Sequence, residues 1–204
     1  MIWHLNKIQY PVYNLGPGKR VGIWVQGCSI HCKGCINKST WNKKNGKKLT
    51  VINVYEIVNQ LCQDYDGITI TGGEPFDQYP QLMAFATMLK RKTNLNILCY
   101  TGFNLEELET KFPDKVFYKC IDFLTDGRYE EDNPSSNSIK GSENQAIYSF
   151  ADGYPVKTDL RNIDKIWSIK CENEMVYMAG IPGEKDLDKL IKSLSETGLK
   201  ANLV

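Results

Sequence analysis

Three of the chain's seven cysteines, Cys28, Cys32 and Cys35, fall within eight residues in a C-x3-C-x2-C spacing. Thiols this crowded, in a chain whose first residues lack the basic and apolar regions of a signal peptide, read as metal or cluster ligands and not as disulfide partners. Three thiolates leave a coordination position open. On a 4Fe-4S cluster, three irons would then be tied to protein and one would keep a free site for a small molecule, whereas a ferredoxin closes all four with cysteine. A structural zinc site is the alternative, and it needs a fourth ligand such as His31 in a tetrahedral Cys3His set. Cys62, Cys99, Cys120 and Cys171 stand apart from one another and read as small buried hydrophobes.

A ligand loop of this kind needs a rigid mount. Arg20 to Gln26, with Val21, Ile23, Trp24 and Val25, is apolar and β-prone, so it predicts a covered strand that delivers the cysteines at its C-terminal end. Another strand is expected near Ile2 to Ile8. From there strand and helix alternate. Asn53 and Glu56 suggest a capping box for a helix whose buried face is Val54, Ile57, Val58 and Leu61. Gly67 to Thr71 predicts a strand running into Gly72-Gly73-Glu74-Pro75, followed by a helix over about Tyr79 to Arg91. Leu95 to Tyr100 predicts the next strand, then Thr101-Gly102-Phe103 and a helix capped by Asn104 and Glu107. Cys120 to Leu124 reads as a strand ending in Thr125-Asp126-Gly127-Arg128. The alternation predicts an α/β chain with a parallel sheet, its polar and glycine-rich strand ends gathered on one rim.

The remaining segments are less regular. Lys33 to Lys48 holds six lysines and no acid; it reads either as a solvated loop or as a docking surface for an acidic partner beside the cluster mouth. Glu130 to Asn144, with four serines, three asparagines and Pro134, predicts a mobile polar loop. Gln145 to Phe150 suggests an edge strand, and Asp164–Cys171 with Glu174–Met178 a hairpin turning at Glu172-Asn173. Leu187, Leu190, Ile191 and Leu194 mark a last helix stopped by Gly198, and Leu199 to Val204 a final strand. At 204 residues, with 25 basic against 24 acidic side chains, the chain predicts a single domain whose net charge favours neither nucleic acid nor a membrane surface. No apolar run reaches the length of a membrane helix, and a cytoplasmic location is expected.

Taken together and in this order, the cysteine loop, Gly72-Gly73-Glu74-Pro75, Tyr100-Thr101-Gly102 before a Leu-Glu-Glu-Leu helix, Asp126-Gly127-Arg128 and Gly141-Ser142-Glu143-Asn144-Gln145 resemble the radical S-adenosylmethionine (SAM) superfamily. Within it the chain is most similar to the activases of glycyl-radical enzymes, such as that of anaerobic ribonucleotide reductase. The resemblance covers roughly residues 16–150. It implies a partial (β/α) barrel, with the tail from about 151 to 204 as a C-terminal β-hairpin plus helix extension. It implies one 4Fe-4S cluster on Cys28, Cys32 and Cys35, whose open iron is chelated by the amino and carboxylate groups of SAM. One electron then splits SAM into methionine and a 5'-deoxyadenosyl radical that abstracts a hydrogen atom from a partner protein.

The implied SAM site comprises Gly34, Ile36 and Asn37 near adenine, Thr71, Gly72 and Gly73 for close backbone approach, and Glu74 for the ammonium group. Tyr100 and Thr101 would line the ribose side, and Asp126 with Arg128 would face the carboxylate. Gly34 stands where an aromatic residue is common in the superfamily. The expected partners are a glycyl-radical protein and an electron donor of the flavodoxin or ferredoxin type. No catalytic acid or base is expected from this chain, because the cluster and SAM carry the hard chemistry. A radical SAM enzyme that modifies a small molecule or peptide is the alternative reading, and a non-catalytic cluster or zinc protein the third.

Overall fold

The computed structural model describes residues 1–151, 153–160, 167–172 and 175–180, together with 189, 192, 193 and 196. Its centre is four parallel strands, β2 (Arg20–Val25), β4 (Gly67–Gly72), β5 (Asn96–Tyr100) and β6 (Phe123–Asp126). Four antiparallel strands extend this unit on both sides. β1 (Ile2–Val12) pairs with β2, β3 (Lys47–Thr50) with β1, β7 (Ala146–Ser149) with β6, and β8 (Val156–Lys157) with β7. The result is one open eight-stranded α/β sheet in the order β3-β1-β2-β4-β5-β6-β7-β8. The parallel expectation therefore holds for the centre and fails at the edges, and β7, expected at the edge, is covered by β8.

One face of the sheet is apolar and packs on helices. Val21, Ile23, Val25, Ile68, Ile70 and Ile97 meet α1 (Val51–Asn59), α2 (Tyr79–Lys92) and α3 (Leu105–Lys111) through Val54, Val58, Leu82, Phe85, Leu89 and Leu108 in a single core. Among the described residues the opposite face holds two small clusters, Val12 with Leu15 and Trp24, and Leu98 with Ile139 and Ile147, with Tyr100 packed against both.

Three local expectations are corrected. The cap of α1 is Thr50, whose hydroxyl accepts from the Asn53 amide at 3.1 Å, because pairing of β3 with β1 ends at that residue and releases the chain into the helix. Cys120 ends a short helix, α4 (Phe117–Cys120), and β6 begins only at Phe123. The stretch 130–144 is not a loose polar loop: Ile139 and Ser142 are fully buried, Pro134 bridges to Ser142, and Asn137 bonds to Asp159 and Leu160. In the extension, β9 (Trp167–Glu172) and β10 (Met175–Gly180) form the expected antiparallel hairpin as a separate two-stranded sheet, with Glu172, expected in the turn, still paired to Met175. Of the expected final helix, Lys189, Lys192, Ser193 and Glu196 are helical, while Leu187, Leu190, Ile191 and Leu194, like the strand expected at Leu199–Val204, lie outside the described residues.

Arg20, at the start of β2, is fully buried although no carboxylate among the described residues pairs with it. Its guanidinium donates to Thr69 Oγ1 (2.7 Å), Asn96 Oδ1 (2.7 Å), and the carbonyls of Pro17 (2.9 Å) and Ile68 (2.6 Å). Desolvation lowers its pKa to about 10, and neutral acceptors from β4, β5 and the turn before β2 compensate for the lost water. Arg20→Ala should destabilise the fold by about 3 kcal/mol, since it strands these acceptors and leaves a cavity. The midpoint of urea unfolding measures this, and a shift of a few tenths of a kcal/mol would show that Arg20 is not the brace of the sheet.

Candidate functional site

The cysteine loop leaves β2 at the C-terminal end of the parallel strands and runs across their ends. Ile30 lies over Gly102 after β5, and Lys33-Gly34 reach Glu131 and Asp132 beyond β6. The chain then returns so that Thr40 and Trp41 lie beside Gly27 and Cys28, whose amides donate to the Thr40 and Trp41 carbonyls at 2.7 and 3.2 Å. His31, with φ +54°, packs its ring on Trp41 at 4.6 Å between centroids. Among the described residues no three Cys, His, Asp or Glu side chains, the three cysteines included, converge as they would on a bound ion.

The Gly-Gly-Glu-Pro stretch clamps the start of this loop. The Gly73 amide donates to the Val25 carbonyl (2.9 Å) and the Glu74 amide to the Gly27 carbonyl (2.8 Å). Asp77 accepts from both the amide and the hydroxyl of Ser29, at 2.7 and 2.8 Å, and Gln78 donates to the Gln26 carbonyl at 3.2 Å. Gly73 sits so close to Gly27 that a Cβ would collide with its carbonyl, and a Cβ on Gly72, at φ +105°, would strike the Val25 backbone. These glycines thus permit chain-to-chain approach, a tighter demand than approach to a ligand.

Glu74 is buried against this clamp. One carboxylate oxygen accepts from the Phe76 amide and the Thr101 hydroxyl (both 2.9 Å), the other from the Gly102 amide (2.8 Å). Burial outweighs these bonds and raises its pKa to about 7. Burial likewise raises the Cys28 thiol, helped by the Glu74 and Asp77 charges and opposed by backbone bonds from His31 and Ile30. All three cysteines are free and half-buried, and their sulfurs are the donor set available to a cluster.

On the far side of the rim, Asp126 accepts from the Leu105 amide (2.8 Å) at the start of α3 and from the Ala146 amide (3.1 Å). Arg128 forms a two-pronged pair with Glu107 at 2.8 and 2.9 Å, so its fork already holds a carboxylate of this chain. Gly141-Ser142-Glu143-Asn144-Gln145 holds that rim in place. Gln145 donates to the Gly127 carbonyl (2.7 Å) and accepts from the Gly141 amide (2.6 Å), and Asn144 donates to the Arg128 carbonyl (2.8 Å). Gly34, at φ +72°, has Glu131 against it where a side chain would stand. Ile36 is half exposed and Asn37 caps the turn Lys38–Thr40.

The sheet face opposite the helices carries a polar row just below the rim. Trp24 pairs with Thr71 and Tyr100 with Thr125. The Tyr100 and Thr125 hydroxyls are buried and find no hydrogen-bond partner among the described residues. Thr125 and Arg20 were not signalled by sequence, because nothing distinguishes a threonine in a strand or a basic residue at a strand start until their neighbours are known.

A family model described as a 4Fe-4S single cluster domain matches residues 14–148, from the turn before β2 into β7. The anaerobic ribonucleoside-triphosphate reductase-activating protein of Enterobacteria phage T4 is 36% identical over 144 residues, covering 68% of this chain and 88% of that one. The proteins of the same name from Pasteurella multocida and Escherichia coli K12 are 30% and 31% identical, over 72% and 68% of this chain and 98% and 94% of theirs. The chain belongs to this family of radical SAM-type activating proteins. The family match contains the whole cysteine loop, its clamp and the Asp126–Arg128 rim, while the hairpin β9–β10 lies beyond it.

Two outcomes follow from the clamp. Gly73→Val should displace the Gly27 carbonyl and with it the cysteine loop, so iron content after anaerobic reconstitution should fall severalfold while the far-ultraviolet spectrum keeps its α/β form; full iron loading would show that the clamp does not position the loop. The raised pKa of Glu74 contributes stability that is present below the usual carboxylate range and is lost as pH rises through about 7. Unfolding midpoints of the iron-free protein should therefore decline over that window, and Glu74→Gln should flatten the decline.

Proposed function

We propose that this chain activates an anaerobic ribonucleotide reductase by installing its glycyl radical. Cys28, Cys32 and Cys35 would hold one 4Fe-4S cluster, and the single observation that carries the reading is their placement on a loop clamped to the ends of the central parallel strands. When bound, the cluster supplies the electron that divides SAM into methionine and a 5'-deoxyadenosyl radical, the species that takes a hydrogen atom from the partner's glycine.

The chain's own residues bind and orient. The buried Glu74 sits where a cationic amino group would offset its desolvation, so we assign it the SAM ammonium. Gly34, Ile36 and Asn37 line the adenine end, and Thr71, Tyr100 and Thr101 the ribose side. Gly72 and Gly73 serve the SAM site through the cysteine loop, whose backbone they let pack on the strand ends. Asp126 fixes the rim from beneath, and Arg128 faces the carboxylate end, where Glu107 holds its fork extended. The orphaned Tyr100 and Thr125 hydroxyls face the side from which a partner's loop would enter, and the surrounding apolar side chains keep water and competing hydrogen donors away.

The open sheet is read as a partial (β/α) barrel whose unclosed side admits the partner. We treat residues 1–204 as one domain, with the core to about 150 and an extension after it, working in the cytoplasm, where thiols stay reduced. No helix among the described residues is long and apolar enough to cross a membrane.

The test is anaerobic. Reduced, reconstituted protein with SAM and the purified reductase should give the doublet of a glycyl radical in electron paramagnetic resonance, and replacing any one of Cys28, Cys32 or Cys35 by Ala should abolish it along with SAM cleavage. Stoichiometric conversion of a small metabolite in the absence of a partner protein would contradict the reading. Arg128→Ala should weaken SAM binding about tenfold by calorimetry with iron content unchanged; unchanged affinity would reduce Arg128 to a surface partner of Glu107.

A further inference from the structure

The lysine-rich segment after the cysteines is attached to the cluster loop by its backbone. Besides the bonds from the Gly27 and Cys28 amides to Thr40 and Trp41, the buried Gln26 side chain donates to the Ser39 carbonyl (2.7 Å) and the Asn42 carbonyl (3.0 Å). Beyond it, β3 pairs with β1, which carries the segment to the β1–β3 edge of the sheet. The rim assigned to SAM extends the other way, over β4, β5 and β6. The loop thus has two flanks, one facing the SAM and partner side and one formed by residues 38–48.

Charge is concentrated on the second flank. Lys38, Lys43, Lys44, Lys47 and Lys48 are all exposed, and residues 33–48 contain no acid. Lys33 stands apart, paired across the loop with Asp132 at 3.6 Å. Setting aside the six lysines of 33–48, the rest of the chain carries 19 basic against 24 acidic residues, so this flank opposes the charge of its own protein. A local field of this kind steers an oppositely charged macromolecule to one orientation.

We propose that the exposed lysines of residues 38–48 form the docking surface for an acidic one-electron carrier protein that reduces the cluster, an inference that rests on the activase reading above. The Trp41 carbonyl accepts from the amide of Cys28, so a carrier seated on this flank is one hydrogen bond from a cluster-ligand residue and does not cover the SAM rim. In the transfer, one electron leaves the carrier's reduced flavin or iron–sulfur centre and enters the cluster. The carrier is oxidised by one electron, and no bond is made or broken.

An acidic flavodoxin serves as the probe. Its affinity in the oxidised form is measured by calorimetry at low and high salt, and the rate at which its photoreduced form bleaches the cluster absorbance is measured by stopped flow. The triple variant Lys38→Glu, Lys44→Glu, Lys48→Glu should lower affinity and rate at least about tenfold at low salt and flatten the salt dependence, while SAM cleavage driven by dithionite proceeds at the wild-type rate. Equal affinity and rate in wild type and variant, or wild-type binding that does not weaken with salt, would overturn the proposal. Loss of reductase binding with flavodoxin binding intact would give the surface to the reductase and overturn it as well. Absence of dithionite-driven SAM cleavage in the wild type would instead overturn the activase reading, with the calorimetry still reporting on the docking surface.

Discussion

The backbone contact between Gly73 and Gly27 is the constraint on which the site depends. Two strand ends meet there without side chains between them, and two amide-to-carbonyl bonds, Gly73 to Val25 and Glu74 to Gly27, fix the point where the chain turns from sheet into ligand loop. Asp77 and Gln78 extend the grip over the neighbouring residues. A loop with three liganding side chains and little secondary structure of its own has no other means of holding their relative positions. Rigidity is borrowed from the parallel core, whose strands are buried on both faces.

The same economy explains the motifs farther along the rim. Glu74 reaches from the clamp to Thr101 and Gly102 after β5, Asp126 ties β6 to the first turn of α3, and Gln145 with Asn144 ties the return of β7 to the turn after β6. Each strand end is bonded to the next by a polar side chain with a backbone partner. The carboxylates among them each accept from more than one donor. The cost is desolvation, visible in the raised pKa values of Glu74 and Asp126.

Much of this was legible in the sequence, for reasons that are local. The Asn104–Glu107 capping box forms as read, with both of its bonds present, because its information lies within four residues. The strands delivering the cysteines and Gly-Gly-Glu follow from their apolar runs. What sequence could not supply was the partner of a residue. Asn53 fits a capping box as well as Thr50 does, and only the pairing of β3 with β1 decides between them. Arg128 offers the same planar fork to SAM or to Glu107, and Gly73 gives no sign that its neighbour is Gly27. Arg20 left no trace at all, since a buried guanidinium satisfied by carbonyls, a threonine and an asparagine from two strands and a turn is a wholly tertiary arrangement.

The central claim is that three cysteines on a clamped loop leave one iron of a 4Fe-4S cluster open to SAM. Electron–nuclear double resonance on the reduced, reconstituted protein with isotopically labelled SAM tests it most directly. The account predicts couplings from the SAM amino nitrogen and carboxylate oxygen to the cluster; a cluster whose spectrum is unchanged by SAM, or a reconstituted protein that binds zinc and no iron, would contradict it.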